Sequence, residues 1–136
     1  MHLHKPVEKE TIKKVMNEVV TTLKRGDVFY RYQSVKDESK ARKYLSKEYE
    51  QIRDKKQLER FVITSEVYGK KKQPVFERGM KVVPKDSSLF DYDVTQIIYR
   101  NKVVFVDYNA QTALVIENEQ IAKFQKDIYR LLYQRL

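Results

Sequence analysis

The sequence predicts an α/β (α+β) fold in which one mixed sheet has helices packed on it. In the first half of the 136-residue chain, helix-periodic and strand-like runs alternate, which is typical of a parallel crossover. In the second half, three strand-like runs follow one another with short links, which is typical of an antiparallel meander. Only three glycines and three prolines interrupt these runs, so a loop-rich architecture is not expected.

Apolar residues at three- and four-residue steps predict an amphipathic helix from about residue 7 to residue 24, with Gly26 as its C-terminal stop. The stripe consists of Ile12, Val15, Met16, Val19, Val20 and Leu23. Residues 27–34 are rich in strand formers and predict a core strand.

Asp37 is the expected N-cap of a second helix. The inner face of that helix would carry Ala41, Tyr44, Leu45, Tyr49 and Ile52. Residues 60–64 predict a second strand, which places a right-handed parallel crossover at the centre of the fold.

The second half begins with an ambiguous region at residues 66–76, which is expected to be a loop or a short helix. Residues 80–83 predict a short strand that ends at Pro84. The strands of the meander are expected at residues 94–99, 102–107 and 112–117. Asn118 is the expected cap of a last helix. The apolar face of this helix would consist of Ile121, Phe124, Ile128, Leu131 and Leu132.

The composition limits the class of protein. A chain of this length fits one domain over residues 1–136, because domains commonly hold about 100–200 residues. The absence of cysteine excludes disulfides and thiolate metal sites and favours a cytoplasmic setting. No apolar run reaches the roughly 20 residues that a membrane span needs. Without a glycine-rich phosphate loop or a nucleophile elbow, no cofactor is expected.

The charge makes nucleic acid a plausible partner, since the net charge is +9 and lysine and arginine release phosphate counterions. However, 19 acidic residues are interleaved with the basic ones. The densest basic cluster is Lys70, Lys71 and Lys72, which we take as the candidate nucleic-acid contact. A solvated loop is the simpler interpretation of this run, and charge alone does not identify a DNA reader.

Residues 100–107 match part of a phosphodiesterase motif, which is His, any residue, Lys, four residues and Asp. Lys102 and Asp107 match, and Arg100 stands in the place of the nucleophilic histidine. An arginine stays protonated and cannot form a covalent phosphohistidine, although its planar fork can bind an anion. Arg100, Lys102 and Asp107 are therefore a candidate anion site. The alternative is an ordinary surface hairpin.

Other polar residues are weaker candidates. His2 and His4 would face one side of a strand and could suit a metal, but we expect residues 1–6 to be a frayed terminus or a short edge strand. Asp91 and Asp93 are expected at a solvated strand entry. Five tyrosines on predicted core elements could line a sugar or nucleotide cleft or be half-buried core residues. These are Tyr30, Tyr32, Tyr44, Tyr49 and Tyr99. No metal site is predicted.

The order of segments resembles the C-terminal regulatory domain of TrmB-type transcriptional regulators, which looks like half of the phospholipase D fold. The likeness covers most of the chain as a pattern of hydrophobic blocks and turns. It is carried by LKRGDVFYRY at 23–32, DKKQLERFVI at 54–63, VPKD at 83–86, IYRNKVVF at 98–105, VIENEQIA at 115–122 and the helix end Leu131-Leu132-Tyr133.

The resemblance implies a non-catalytic domain that senses an effector, such as a sugar or its phosphate, or mediates dimerisation. It also implies contact with DNA only through a separate winged-helix domain or protein, because no trihelical reader precedes the sheet. The chain would then be a fragment, a stand-alone relative or half of a two-protein arrangement. No sugar-contacting residue can be matched position by position.

Two alternative functions remain open at this point. One is a single-motif phosphodiesterase or nuclease that dimerises to complete its site, which Arg100 argues against. The other is a stand-alone basic nucleic-acid-binding protein. A homodimer is expected through the last helix, because Tyr129, Tyr133 and Leu136 widen its apolar surface beyond what one core needs.

Overall fold

The computed structural model describes residues 7–65 and 77–136 and confirms the predicted fold class. Seven strands form one mixed sheet in the order β1-β7-β6-β5-β2-β3-β4, with four helices packed on it in the described ranges. The elements are β1 (Val7–Glu10), α1 (Ile12–Thr22), β2 (Val28–Tyr32), α2 (Val35–Arg42), α3 (Lys47–Lys56), β3 (Glu59–Thr64), β4 (Glu77–Val82), β5 (Val94–Tyr99), β6 (Lys102–Asp107), β7 (Thr112–Glu117) and α4 (Glu119–Arg135).

Strand β2 lies where the sheet changes direction. It pairs in parallel with β3 and antiparallel with β5, so that Tyr30 lies between Phe61 and Ile98. Strand β4 extends the parallel part, and β5, β6 and β7 form the antiparallel meander. The predicted parallel crossover and the predicted meander are both confirmed.

The first helix is shorter than the sequence suggested. Residues 7–10 form β1, which pairs antiparallel with β7, and α1 begins only at Ile12. Thr11 is the N-cap, and its hydroxyl accepts a hydrogen bond from the N–H of Lys14 at 3.4 Å. The prediction of a helix from residue 7 was wrong, because the cap at Thr11 and the pairing with β7 together favour an extended segment before it.

The single helix predicted after β2 is two helices. Ser34, and not Asp37, is the N-cap of α2, since its hydroxyl accepts from the N–H of Asp37 at 3.2 Å. Ser46 caps α3 in the same way, with 3.0 Å to the N–H of Tyr49. The predicted inner face does turn inward, because Ala41 and Tyr49 are buried and the other three residues pack against the same core. A second cap within the run, at Ser46, divides a continuous apolar pattern into two helices.

The two faces of the sheet are covered differently. Helices α1, α2 and α3 cover one side, which we call the three-helix face, and α4 alone covers the other, the one-helix face. The core of the three-helix face includes Ile12, Val15, Met16, Val19, Val20, Leu23, Phe29, Leu58, Ile97, Tyr99, Val104 and Val106. The core of the one-helix face is smaller and includes Tyr32, Ile63, Val83, Phe90, Ile98, Val103, Ala122 and Tyr129.

Helix α4 is rotated relative to the prediction. Ala122 and Tyr129 are its buried residues, whereas four of the five residues expected to face inward are exposed. Only Leu132 of that set is half-buried against the core. The prediction was wrong because α4 carries two apolar stripes, and periodicity alone cannot tell which one meets the sheet.

Candidate functional site

Tyr129 fixes the orientation of α4 on the sheet. Its ring lies 5.1 Å from the ring of Tyr30 and 4.9 Å from that of Tyr32, measured between centroids. Its hydroxyl donates to the carbonyl of Arg31 at 3.3 Å. Burial raises the pKa of Tyr129, so the hydroxyl keeps its proton and remains a donor at neutral pH. These aromatic contacts determine which side of α4 faces solvent.

The outward side of α4 is a row of large apolar residues, which we call the outer stripe: Ile121, Phe124, Ile128 and Leu131. Their exposed fractions are 41%, 63%, 41% and 57%. The spacing of three, four and three residues is that of the a and d positions of a coiled coil. Within the described residues, the outer stripe is therefore a helix-packing surface left open.

An apolar groove of about 440 Å³ lies beside α4, over the ends of β5 and β6. It is lined by Tyr32, Leu89, Phe90, Tyr92, Val94, Gln96, Phe105, Ile128 and Leu132. Gln96 pairs with Phe105 across the β5–β6 ladder and with Tyr32 across the β2–β5 ladder, which places the three side chains in one row. Ile128 belongs both to the groove and to the outer stripe.

One of the lining residues, Gln96, has a buried polar atom without a partner. The side-chain carbonyl oxygen of Gln96 is buried and accepts no hydrogen bond. Burial also raises the pKa of Tyr32 to about 12, so its hydroxyl is neutral at physiological pH. None of the lining residues carries a charge at neutral pH. The groove therefore has an uncharged wall, and the Gln96 oxygen is buried behind it.

The outer stripe and the rim of the groove form one continuous apolar surface. Leu89, Tyr92 and Val94 on the rim are exposed, Tyr92 to 69%. Together with the outer stripe they expose roughly 600–700 Å², taking on the order of 200 Å² for a fully exposed large side chain. Contiguous apolar patches of this size on a folded chain usually mark an interaction site.

Arg100 and Lys102 lie together at the β5–β6 turn. Arg100 adopts a left-handed backbone conformation with a φ of 49°, and its guanidinium Nη2 lies 3.1 Å from Oδ2 of Asp27. Its carbonyl accepts a hydrogen bond from Nζ of Lys126 at 2.7 Å. The ammonium of Lys102 lies 5.9 Å from the centroid of the Tyr99 ring. The two residues are two positions apart along the turn, and Arg100 already has an anionic partner.

Asp107 lies at the opposite end of β6. Lys102 is the first and Asp107 the last of the six residues of β6, which corresponds to about 17 Å between their Cα atoms. The Asp107 carboxylate accepts hydrogen bonds from the N–H groups of Asn109 and Ala110 at 3.0 and 3.1 Å, and so caps the β6–β7 turn. An anion site at Arg100 and Lys102 stays a prediction, and the structure does not bring Asp107 into it.

The other candidate residues either form ion pairs that stabilise the fold or lie outside the described residues. Lys70, Lys71 and Lys72 and the two histidines are outside them. Asp93 forms ion pairs with Lys36 at 3.3 Å and Lys40 at 3.4 Å, and the hydrogen bond from Lys36 lowers the pKa of Asp93. These pairs tie α2 to the start of β5. The described residues contain no group of three acidic or histidine side chains that could hold a metal ion.

Sequence reasoning did not identify the groove. Its walls come from β2, β5, β6, α4 and the connection before β5, and no local pattern joins segments so far apart. One weak signal of the groove exists in β5. Val94, Gln96 and Ile98 lie on the same face of this strand, and the polar Gln96 stands between two apolar residues on a side that should be apolar.

A buried polar cluster lies on the three-helix face, where β2 and β3 end. Asp37 is fully buried and its carboxylate oxygens accept no hydrogen bond, although Nζ of Lys40 lies 3.5 Å away. The side-chain oxygens of Gln33 and Thr64 are also buried without a hydrogen-bond partner. Thr95, on the same face, instead shares a hydrogen bond of 3.0 Å with Tyr108. Buried oxygens that accept no hydrogen bond reduce the stability of a fold.

Comparison with known proteins identifies a similar fold. No protein-family model and no curated protein matches the chain. The structure is similar to that of TrmBL2, an archaeal chromatin protein whose structure shows a novel mode of DNA binding, with a TM-score of 0.59 and 9% sequence identity. The match covers 96% of this chain and 52% of the other, so this chain spans about half the length of that protein. At this identity the likeness shows a shared fold.

Among the described residues, no helix is long and apolar enough to cross a membrane.

Proposed function

We propose that this chain is a non-catalytic effector-sensing and dimerisation domain of a TrmB-type transcriptional regulator. The observation that carries the proposal is the outer stripe, an open row of apolar residues at coiled-coil spacing on α4. The shared fold with TrmBL2 supports the TrmB part of the proposal. The whole chain acts as one phospholipase D-like domain, in the cytoplasm and without a cofactor.

Two copies of the chain can cover the outer stripe by packing α4 against α4. A twofold dimer places the same patch on both subunits, so a row of a and d residues meets an identical row. On the same scale of on the order of 200 Å² for a fully exposed large side chain, the outer stripe alone exposes roughly 400 Å² per copy, about half of the roughly 800 Å² per partner of a standard stable interface. Dimerisation would thus remove from water the largest apolar area that the one-helix face leaves open.

The hairpin at Arg100 supports a role without catalysis. Arginine cannot replace the nucleophilic histidine, and the guanidinium of Arg100 already pairs with Asp27. Asp107, which would orient an imidazole in a catalytic site, instead caps a turn at the far end of β6. Metal-independent cleavage of plasmid or single-stranded DNA that disappears in Lys102→Ala would overturn this part of the proposal.

Sedimentation equilibrium at micromolar concentration tests the dimer. We expect a dimeric mass for the natural chain and a monomeric mass for Phe124→Glu/Leu131→Glu, which places charge in the outer stripe. The matched control is Gln120→Glu/Gln134→Glu, which adds the same charge at exposed positions of α4 outside the stripe and should remain dimeric. A monomeric natural chain, or equal dissociation in both double variants, would contradict the proposal.

Nucleic-acid binding is the second candidate, favoured by the net charge of +9 and by the DNA binding of the structural neighbour. It predicts binding to duplex DNA that weakens steeply as salt rises. Replacing Lys70, Lys71 and Lys72 with alanine should lower the salt dependence, since each lost phosphate contact reduces the slope by about one. The same change at the exposed Lys13, Lys47 and Lys55 is the control. Absence of binding at low salt would remove this candidate.

A further inference from the structure

The outer stripe is too small to form a standard interface by itself. It exposes roughly 400 Å² per copy, whereas a stable interface commonly covers roughly 800 Å² on each partner. The exposed rim of the groove raises the apolar surface to roughly 600–700 Å². A stable dimer through the stripe therefore needs the groove as well, because the rim is the apolar surface that adjoins the stripe.

The groove and the outer stripe meet on the same side of α4. Ile128 belongs to both, and Leu132, one turn further along the helix, also lines the groove. The apolar surface continues onto β7, where Leu114 pairs with Phe105 across the β6–β7 ladder and is exposed to 40%. Within the described residues, the part of the one-helix face beside α4, over β6 and β7, is thus open to a second helix.

The chemistry of the groove fits an apolar side chain. Its wall is uncharged, and the one buried polar oxygen, on Gln96, lies behind it. A charged occupant would lose its hydration there without gaining a partner. The volume of about 440 Å³ is that of a small-molecule pocket, so one benzyl group fits inside it. Phe124, exposed to 63%, is the most exposed residue of the outer stripe and has such a group.

The spacing of the outer stripe matches itself in an antiparallel pair of helices. Its steps of three, four and three residues read the same in both directions. In an antiparallel pair, Phe124 of each copy therefore faces Ile128 of the other, the residue that lines the groove. A parallel pair would instead place Phe124 against Phe124 and leave both grooves empty. The antiparallel order is also favoured by the helix dipoles, because ends of opposite sign lie together.

We propose that the groove is the docking site for the Phe124 side chain of a second copy, in a dimer whose α4 helices pack antiparallel. The one-helix faces of the two copies meet, and α4 of each lies beside α4 of the other, over β6 and β7. Each copy inserts one ring and receives one, so the contact is closed at two copies. The proposal rests on the proposed dimer, and it assigns the orientation and the central contact of that dimer.

Disulfide cross-linking tests the orientation, since the chain contains no cysteine of its own. Phe124→Cys mixed with Ile128→Cys should give a linked pair under mild oxidation, because antiparallel packing brings these positions within the roughly 4.4–6.8 Å between Cα atoms that a disulfide needs. Either variant alone should stay largely unlinked, because its two cysteines are offset by about 6 Å along the helix axis. Lys13→Cys, exposed on α1, gives the background from random collision. Efficient linkage within either single variant would overturn the antiparallel pair.

A filled groove tests the contact itself. Val94→Trp places a large ring at the exposed rim and should raise the dimer dissociation constant about tenfold or more, because Phe124 of the other copy loses its pocket. The matched control is Val82→Trp in β4, at a valine of nearly equal exposure outside the groove lining, which should leave the constant unchanged. Sedimentation equilibrium measures both, and the outer stripe is intact in both variants.

The outcomes separate the groove contact from the dimer. A natural chain that is dimeric and keeps its dissociation constant in Val94→Trp would overturn the groove contact and leave the dimer in place. A natural chain that is monomeric at micromolar concentration would overturn both. Amide chemical shifts of the groove residues that respond to added indole in the dimer, with no change in the dissociation constant, would show a groove open to small molecules and would also overturn the contact.

Discussion

The two faces of the sheet differ in how completely the chain covers them. On the three-helix face, α1 alone contributes Ile12, Val15, Met16, Val19 and Val20 to the buried core. On the one-helix face, α4 buries only Ala122 and Tyr129 and leaves the outer stripe and the groove open. The three-helix face is a hydrophobic core covered by helices, and it stabilises the fold. The second provides fewer buried contacts and more accessible apolar surface, which is the property expected of a face that binds.

Substitution of leucine on each face should separate these two roles most clearly. Leu58→Ala removes a fully buried side chain from the three-helix face and should lower the free energy of unfolding by about 3 kcal/mol. Leu131→Ala, the same chemical change in the outer stripe, should cost less than about 0.5 kcal/mol at a concentration where the chain is monomeric. Urea denaturation measures both. Equal losses would contradict the distinction between the faces.

A close approach beneath α4 gives the next largest effect. A Cβ at Gly79 in β4 would overlap the hydroxyl of Tyr133, so Gly79→Ala should destabilise the fold by about 2 kcal/mol. Tyr133→Phe removes that hydroxyl and should recover part of the loss in the double variant. A double-mutant cycle in urea measures the coupling. Strictly additive effects would show that the Tyr133 hydroxyl of α4 does not limit the space at Gly79 of β4.

Two buried threonines on the three-helix face should respond with opposite signs. Thr64→Val replaces a hydroxyl that has no hydrogen-bond partner and should raise the free energy of unfolding by up to about 1 kcal/mol. Thr95→Val breaks the hydrogen bond with Tyr108 and should lower it by about 1 kcal/mol. Thermal unfolding of the two variants side by side is the measurement. A loss in both would mean that Thr64 also has a partner in solution.

Alkaline pH should weaken both faces together. Burial raises the pKa of Tyr32 and of Tyr108 to about 12, above the ordinary value of 10.0. Their contributions to stability are fully present below pH 10 and are lost as the pH rises through 12, because the unfolded chain ionises first. Tyr32→Phe should make this decline less steep. Tyr92→Phe, at an exposed position, is the control and should leave the decline unchanged.

Local sequence signals predicted much of the fold. The three strands of the meander were predicted with the bounds that the structure has, because short turns and alternating apolar residues define them within a few positions. The cap at Asn118 was also predicted, and its side chain accepts from the N–H of Ile121 at 3.0 Å. The start of α1 and the break between α2 and α3 were missed, because the caps at Thr11 and Ser46 interrupt otherwise continuous apolar patterns.

The candidate site was less predictable. The hairpin residues Arg100, Lys102 and Asp107 were selected from a spacing along the chain, but the length of β6 separates the last of them from the other two. The groove and its unpaired Gln96 carbonyl depend on five segments and could not be seen in any one of them.

The sequence by itself determined the mixed sheet, its parallel crossover and its meander, because these depend on local periodicity, turns and caps. It also predicted more apolar surface on α4 than one core can use, but the residues expected to provide it, Tyr129, Tyr133 and Leu136, pack against the core of the one-helix face. Only the tertiary structure decided which of its two stripes faces the sheet. Tyr129 packs between the rings of Tyr30 and Tyr32 and donates to Arg31, and this arrangement of distant residues turns Phe124 and Leu131 toward solvent. Contacts between residues about 100 positions apart are not encoded in any local pattern, and here they determine which surface is available for binding.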